Sequence, residues 1–97
     1  MKIALLHKHF DAGHLQEVKS KMENFGAPVI RAVWMECFDC WAALEGCHRI
    51  RAAAELGLEP IIEEIEYSDD VFIDESGNEF VVSEVADDAW RAEIVEF

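Results

Sequence analysis

Four consecutive residues, Gly46-Cys47-His48-Arg49, combine anion-binding side chains with a potential nucleophile. They follow an apolar stretch and precede a segment rich in Ala, Arg, Glu and Leu, which are good helix formers. This order predicts a strand, a glycine turn and then a helix. The first N–H groups of a helix lack intrahelical partners and carry partial positive charge. We therefore expect an anion, and a phosphate group in particular, to bind at this turn.

Each residue of the Gly46–Arg49 turn suits a separate part of that chemistry. Gly46 has no Cβ and lets the backbone approach a phosphate closely. His48 and Arg49 add side-chain donors, and the guanidinium can hold a phosphate through two parallel hydrogen bonds. Cys47, beside these cations at a helix N-terminus, is placed where thiolates are stabilised. The alternative is a helix that begins with polar residues and has no catalytic role.

The segment Trp41–Gly57 resembles the signature of the ParB/sulfiredoxin-like family, in which a strand leads through a Gly-x-x-Arg turn into a helix with small residues. A Pro-led strand follows, here from Pro60. Upstream, a helix over 12–25, Gly26, Pro28 and a strand over 29–35 also fit, so the resemblance covers about residues 1–67. It implies that Gly46, His48 and Arg49 bind the phosphates of ATP or CTP with Mg²⁺. Its match to the sulfiredoxin form implies that Cys47 is a catalytic nucleophile.

The sequence departs from the sulfiredoxin pattern at two places. Glu45 occupies the position of a second glycine before the turn. In the first helix, His14, Glu17 and Lys21 occupy positions where sulfiredoxins use a lysine and hydroxyl residues to hold phosphates. Glu17 would repel a triphosphate, and Lys21, one turn further along, is predicted to supply the missing positive charge.

Three functions follow from these residues. The first is a nucleotide-binding domain that carries out phosphoryl transfer or nucleotide hydrolysis, with Lys21 assisting the Gly46–Arg49 turn. The second is a non-enzymatic protein-interaction module on the same fold, which a carboxylate of Glu17 or Glu45 facing Arg49 would favour. The third is an ATP-dependent reductase of protein sulfinic acids with Cys47 as the nucleophile.

The pattern of apolar residues predicts an α+β fold in one small domain, a mixed β-sheet with two to three packed helices. Residues 1–67 are expected to form the core, and residues 68–97 a hairpin and helix that extend the same domain. Leu15, Val18, Met22 and Phe25 recur at helical spacing. The predicted elements are strands over 2–7, 29–35, 41–45 and 60–67, helices over 12–25 and 47–56, a hairpin of 71–74 and 79–82, and a helix from Ser83 to about Val95 with Val85, Ala89, Trp90 and Ile94 on its apolar face.

Charge is distributed very unevenly along the chain, whose net charge is −13. Residues 55–97 contain fifteen acidic residues and one basic residue, Arg91. Such a surface repels the phosphates of nucleic acids, so no nucleic-acid partner is expected. It predicts a solvated surface, with docking to a basic protein partner or a homodimer contact as the alternatives.

Three cysteines, Cys37, Cys40 and Cys47, are too few for a disulfide framework and indicate reduced thiols. Their spacing leaves two alternatives open, which are a zinc site formed by these thiols and His48, and a redox pair of Cys37 and Cys40. No metal site is predicted.

His7, Lys8 and His9 lie in the segment before the first helix, which borders the nucleotide in members of the family. The short apolar start does not match a secretory signal or a membrane span, which indicates a cytoplasmic protein.

Overall fold

A five-stranded mixed sheet forms the centre of the protein, with two helices on one face and a hairpin and a short helix on the other. The computed structural model describes residues 1–7, 10–74, 77–88 and 93–97. In chain order the elements are β1 (Lys2–Ala4), α1 (Ala12–Phe25), β2 (Val29–Met35), a 3₁₀ turn (Glu36–Phe38), β3 (Cys40–Ala43), α2 (Cys47–Leu56), β4 (Ile61–Glu64), β5 (Val71–Ile73), β6 (Glu79–Val81), α3 (Val82–Asp88) and β7 (Ile94–Glu96).

The strands of the sheet lie in the order β4-β2-β3-β1-β7, and β5 and β6 form a separate two-stranded hairpin. β1 runs parallel to β3, and β4 runs parallel to β2, whereas β2 with β3 and β1 with β7 are antiparallel pairs. The radius of gyration is 12.7 Å, close to the value of about 12.5 Å expected for a folded unit of this length. The predicted α+β single domain is confirmed.

Alternating side chains of β3 divide the core between the two faces of the sheet. Ala43 packs with Ile30 and Ile50 in the cluster on the helix side. Cys40, Ala42 and Leu44 belong to a second cluster, which the hairpin and α3 complete. That second cluster includes Phe72, Val82, Val85 and Ala86, so residues 68–97 supply one whole side of the core.

Helix α1 begins and ends where its sequence predicts. The Asp11 carboxylate accepts a hydrogen bond of 2.7 Å from the His14 N–H, as an N-cap does. Gly26, at a φ of 82°, closes the helix by donating to the Met22 carbonyl. Leu15 and Met22 are buried against α2. Phe25, predicted on the same apolar face, is 86% exposed, so that part of the prediction is wrong.

The C-terminal segment differs from its prediction. A helix was expected from Ser83 to about Val95, but α3 covers Val82–Asp88, and Ile94–Glu96 is strand β7. Ile94 and Val95 are β-branched and pair with the open edge of β1, which outweighs the helical spacing of the apolar residues. Ile94 is 51% exposed. Ala89 and Trp90, predicted on the helix's apolar face, lie outside the described residues.

Ser83 lies inside α3 and does not cap it; its hydroxyl donates a hydrogen bond of 2.8 Å to Asp69. The predicted hairpin strands are confirmed, with Phe72 opposite Phe80 in the register. Two residues of the loop between them, Glu75 and Ser76, lie outside the described part of the chain. None of the described helices has both the length and the apolar character needed to cross a lipid bilayer.

Candidate functional site

A cavity of about 860 Å³ lies where the parallel strands β1 and β3 reach their carboxyl ends. Leu6 and His7, which follow β1, and Leu44 and Glu45, which follow β3, line its base. Helix α1 forms one wall, and the hairpin with α3 contributes another. Its volume is in the range of small-molecule sites, and the carboxyl ends of strands are where α/β sheets place ligands.

The residues that the sequence singled out meet in this cavity. Gly46, Cys47, His48 and Arg49 line it from the start of α2, and Lys21 lines it from α1. Lys21 is exposed, and its ammonium group forms no ion pair with the residues that the structure describes. The structure thus brings the predicted site residues together, while the role of each remains a prediction.

Gly46 is required by the geometry of the turn. It is the N-cap of α2 in the left-handed region, at a φ of 79° and a ψ of 30°. A Cβ at this position would lie 2.9 Å from Ile30 Cδ1 and 3.1 Å from Arg49 Nη2. No side chain among the described residues caps the helix. The residues at the start of α2 line the cavity, and their backbone N–H groups have no capping carboxylate or hydroxyl among the described residues.

His48 joins the starts of the two helices. Its Nε2 accepts a hydrogen bond of 3.0 Å from the Asp11 N–H, which requires that nitrogen to be unprotonated. The His14 ring packs edge-on at a centroid distance of 4.6 Å. Burial of the imidazole, followed by repulsion from His14 and His7, lowers the pKa of His48 below its usual 6.5, although Asp11 opposes this. His48 is thus a neutral hydrogen-bonding group at neutral pH.

The lowered pKa predicts how stability depends on pH. Because the folded pKa lies below that of the unfolded chain, the contribution of neutral His48 is complete above pH 6.5 and is lost as the pH falls through the folded pKa. A His48→Gln variant keeps an acceptor for the Asp11 N–H but does not titrate. Urea unfolding of both proteins between pH 7.5 and about 5 should show wild type losing more stability on acidification. Equal losses of stability in the two proteins would contradict the assignment of His48 as a neutral group.

Arg49 is held by groups of the protein itself. Its Nη1 donates a hydrogen bond of 2.9 Å to the Val29 carbonyl oxygen, and its Nη2 lies 3.5 Å from Glu45 Oε1. The Glu45 carboxylate also accepts two hydrogen bonds from Arg31, at 3.0 and 2.9 Å. Hydrogen bonding and charge from Arg31, with help from Arg49, keep the pKa of Glu45 below its usual 4.5. Two guanidinium groups thus share one carboxylate.

Arg31 extends this network to the hairpin. Its Nη2 donates a hydrogen bond of 2.7 Å to the Ile73 carbonyl oxygen, and its guanidinium lies 5.3 Å from the centre of the Phe72 ring. Arg31 was not among the site residues predicted from the sequence. The pairing register of β2 with β3 is what reveals its place in the site. The Leu44 N–H donates to the Arg31 carbonyl oxygen, and this pairing brings Arg31 beside Glu45.

Cys47 lines the cavity but is only 5% exposed and packs with Ile3, Ile30 and Ile50. Reactive thiols are partly exposed, and a buried thiol packs as a small apolar group. No observation therefore favours the reductase interpretation.

Two of the possible zinc ligands, Cys40 and Cys47, are not brought together. Cys40 packs on the opposite face of the sheet from Cys47, and burial raises its pKa. Both are free thiols. The side chain of Cys37 lies outside the described part of the chain, so the alternative of a Cys37–Cys40 redox pair stays open. Among the described residues, no group of three or more possible ligands could hold a metal ion.

The predicted neighbours of the nucleotide are only partly in the cavity. His7 and His14 line it. Glu17 is not among its lining residues, and its carboxylate lies 4.0 Å from His14 Nδ1 at the surface. Lys8 and His9 lie outside the described residues. The remaining walls are mostly apolar, with Phe25 and Phe80 among them, and two carboxylates, Asp74 and Asp88, line the hairpin and α3 side.

Protein-family models, curated proteins and solved structures were compared with the chain, and none of them matches it. The resemblance of Trp41–Gly57 to ParB/sulfiredoxin-like domains is therefore a prediction that rests on the sequence motif.

Proposed function

We propose that this chain is a nucleotide-binding domain that holds a phosphate group at the N-terminus of α2. The observation that carries the proposal is the convergence of Gly46, His48, Arg49 and Lys21 on one cavity at an uncapped helix start. Backbone N–H groups there suit a phosphate oxygen. The apolar walls suit the rest of a nucleotide.

The residues in the cavity have different parts in this proposal. Lys21 supplies a mobile positive charge from α1, and the N–H groups at the start of α2 supply fixed donors. His48 is neutral and has its Nδ1–H as the remaining donor, since its Nε2 already accepts from the Asp11 N–H. Arg49 contributes positive potential from a fixed position, because Val29 and Glu45 hold its guanidinium. ATP or CTP with Mg²⁺ is the ligand that the family resemblance implies, and phosphoryl transfer or nucleotide hydrolysis is the reaction.

Isothermal titration of the reduced protein with AMP, ADP, ATP and CTP, each with and without Mg²⁺, tests the proposal. We expect saturable binding of at least one nucleotide. Lys21→Gln should weaken it about tenfold, because a charge-assisted hydrogen bond to phosphate is lost. Lys19→Gln is the matched control, since Lys19 lies on the same helix, pairs with Glu55 and does not line the cavity. Failure of every nucleotide to bind, or equal effects of the two variants, would contradict the proposal.

A second function, a non-enzymatic protein-interaction module, is favoured by the contact of Glu45 with Arg49. A carboxylate of the protein already faces the guanidinium that the sequence assigned to phosphate. The same cavity contains exposed aromatic rings, with Phe25 86% and Phe80 39% exposed. The titration separates the two functions, because a module whose pocket no longer takes a ligand binds none of the nucleotides.

A further inference from the structure

Strand β4 is an open edge of the central sheet. It pairs with β2 on one side, and none of the described strands pairs with its other side. The Ile61 N–H donates a hydrogen bond of 2.9 Å to the Pro28 carbonyl oxygen, next to β2. In such a ladder, alternate residues of a strand bond to the same neighbour. The N–H and C=O groups of Ile62 and Glu64 therefore point away from β2, where a further strand can bond to them.

Apolar side chains lie exposed at the start of this edge. Ile61 is 58% exposed, and Val29, its partner in the register with β2, is 49% exposed. Ile62, on the other face of the sheet, is only partly buried against the cluster on the helix side. A strand added to β4 places side chains beside Ile61 on one face and beside Ile62 on the other. Apolar residues at both positions would remove this surface from water.

The next two positions of the edge are acidic. Glu63 and Glu64 are exposed, and neither forms an ion pair or a side-chain hydrogen bond with the residues that the structure describes. Arg31 is the neighbour of Glu63 in the register, but its guanidinium donates to Glu45. Opposite charges on neighbouring strands stabilise the pair, and like charges destabilise it. Charge complementarity therefore favours basic residues beside Glu63 and Glu64.

The same charges disfavour a second copy of this chain as the partner of β4. The segment 59–66 contains four glutamates and no basic residue. Two such segments side by side would add carboxylates to carboxylates and neutralise none of them. Charged residues on an edge strand are a common means of preventing self-association. A basic strand from another protein has no such penalty.

We infer that β4 binds an extended, basic segment of a protein partner, which adds to the five-stranded sheet as a further edge strand. Two adjacent apolar residues of the partner lie beside Ile61 and Ile62, and two adjacent basic residues lie beside Glu63 and Glu64. In this mode of recognition, main-chain hydrogen bonds supply affinity and side chains supply specificity. The surface is separate from the cavity, and its function does not depend on a bound nucleotide.

The peptide Lys-Lys-Val-Val-Lys-Lys, which presents the same pattern in either strand direction, is the probe. Amide hydrogen exchange of the wild-type protein is followed by NMR with and without the peptide. We expect saturable binding that slows exchange at Ile62 and Glu64, because their N–H groups point outward. The control peptide Glu-Glu-Val-Val-Glu-Glu should not bind. Equal binding of the two peptides, no binding of the lysine peptide, or binding that leaves exchange at Ile62 and Glu64 unchanged would overturn the inference.

A charge reversal tests the acidic positions. The double variant Glu63→Lys, Glu64→Lys should weaken the lysine peptide about tenfold and allow the glutamate peptide to bind. The control is the same change of charge at Glu23 and Glu84, which are exposed on α1 and α3. It should leave the preference for the lysine peptide unchanged. An equal loss of preference in the two double variants would show that only the net charge of the protein matters, and would overturn the inference.

A pair of serine variants tests the apolar positions. Ile61→Ser should weaken the lysine peptide about tenfold. Ile94→Ser, 51% exposed in β7 at the opposite edge of the sheet, is the control and should not. Equal effects of the two variants would contradict binding at β4. Protection of the Ile62 and Glu64 amides that rises with protein concentration, without peptide, would show that β4 pairs with a second copy, and would also overturn the inference.

Discussion

Replacing Gly46 by alanine is expected to lower the free energy of unfolding by about 1–3 kcal/mol. The residue has a φ of 79°, which L-amino acids adopt only at a cost. The added Cβ would also lie 2.9 Å from Ile30 Cδ1, whose side chain is fully buried, so the core of the helix face must shift. Urea unfolding followed by circular dichroism measures the change.

The matched control is Gly57→Ala at the other end of α2. Gly57 has a similar φ of 71°, but nothing lies within 4 Å of a Cβ built there. It therefore reports the backbone cost alone, and we expect a smaller loss than for Gly46. Equal losses for the two variants would show that the close approach of Ile30 and Arg49 to Gly46 has no energetic consequence. That result would contradict our description of the turn.

Replacing Glu45 by glutamine is expected to cost about 1–3 kcal/mol of stability at neutral pH. The side chain of Glu45 is 11% exposed and accepts from Arg31 and Arg49, which are 26% and 24% exposed. Without the carboxylate, two guanidinium groups are left close together with less compensation than before. Glu23→Gln on the exposed surface of α1 is the control and should change stability by less than about 0.5 kcal/mol.

The cost of Glu45→Gln should depend on pH. The pKa of Glu45 is lower in the folded protein than its usual 4.5, so the carboxylate's contribution is complete above pH 4.5. It is lost as the pH falls through the folded pKa, where the folded protein must also take up the proton. The difference in stability between wild type and the variant should therefore narrow below pH 4.5. A difference that stays constant or widens there would contradict the ion-pair network.

Local patterns predicted much of the fold. Several of these patterns depend only on the conformations that single residues allow. They are the N-cap at Asp11, the glycines that begin and end α2, and Pro28 before β2. Such signals involve residues close in sequence. The hairpin of β5 and β6 was predicted in the same way, because turn residues separate two apolar segments.

Long-range pairing was not predictable in the same way. Ile94 fits the apolar face of the predicted helix, yet Ile94 and Val95 form a strand because β1, about ninety residues earlier in the chain, has an open edge. Phe25 also has helical spacing with Leu15 and Met22, but it lies outside the cluster that these two residues form with α2. Both errors arise where partners distant in sequence determine burial.

In the candidate site, too, the sequence predicted the local features and missed the long-range contacts. The sequence predicted that Gly46, His48 and Arg49 would lie at the start of a helix, and with Lys21 they line one cavity. Glu45 was predicted only as a departure from the motif. The hydrogen bonds that determine its role come from Arg31, fourteen residues away in the sequence. The contacts of Arg49 with Val29 and Glu45 change its interpretation from a bidentate phosphate ligand to a fixed positive charge.

The most direct test of phosphate binding at the start of α2 is an NMR titration of ¹⁵N-labelled protein with AMP. We expect saturable shifts of the Cys47 and His48 amide resonances, because their N–H groups lie at the helix start that lines the cavity. Gly57 and Leu58, at the far end of α2, should not shift. Saturable shifts that leave Cys47 and His48 unchanged, or no shifts at all, would contradict phosphate binding at the start of α2.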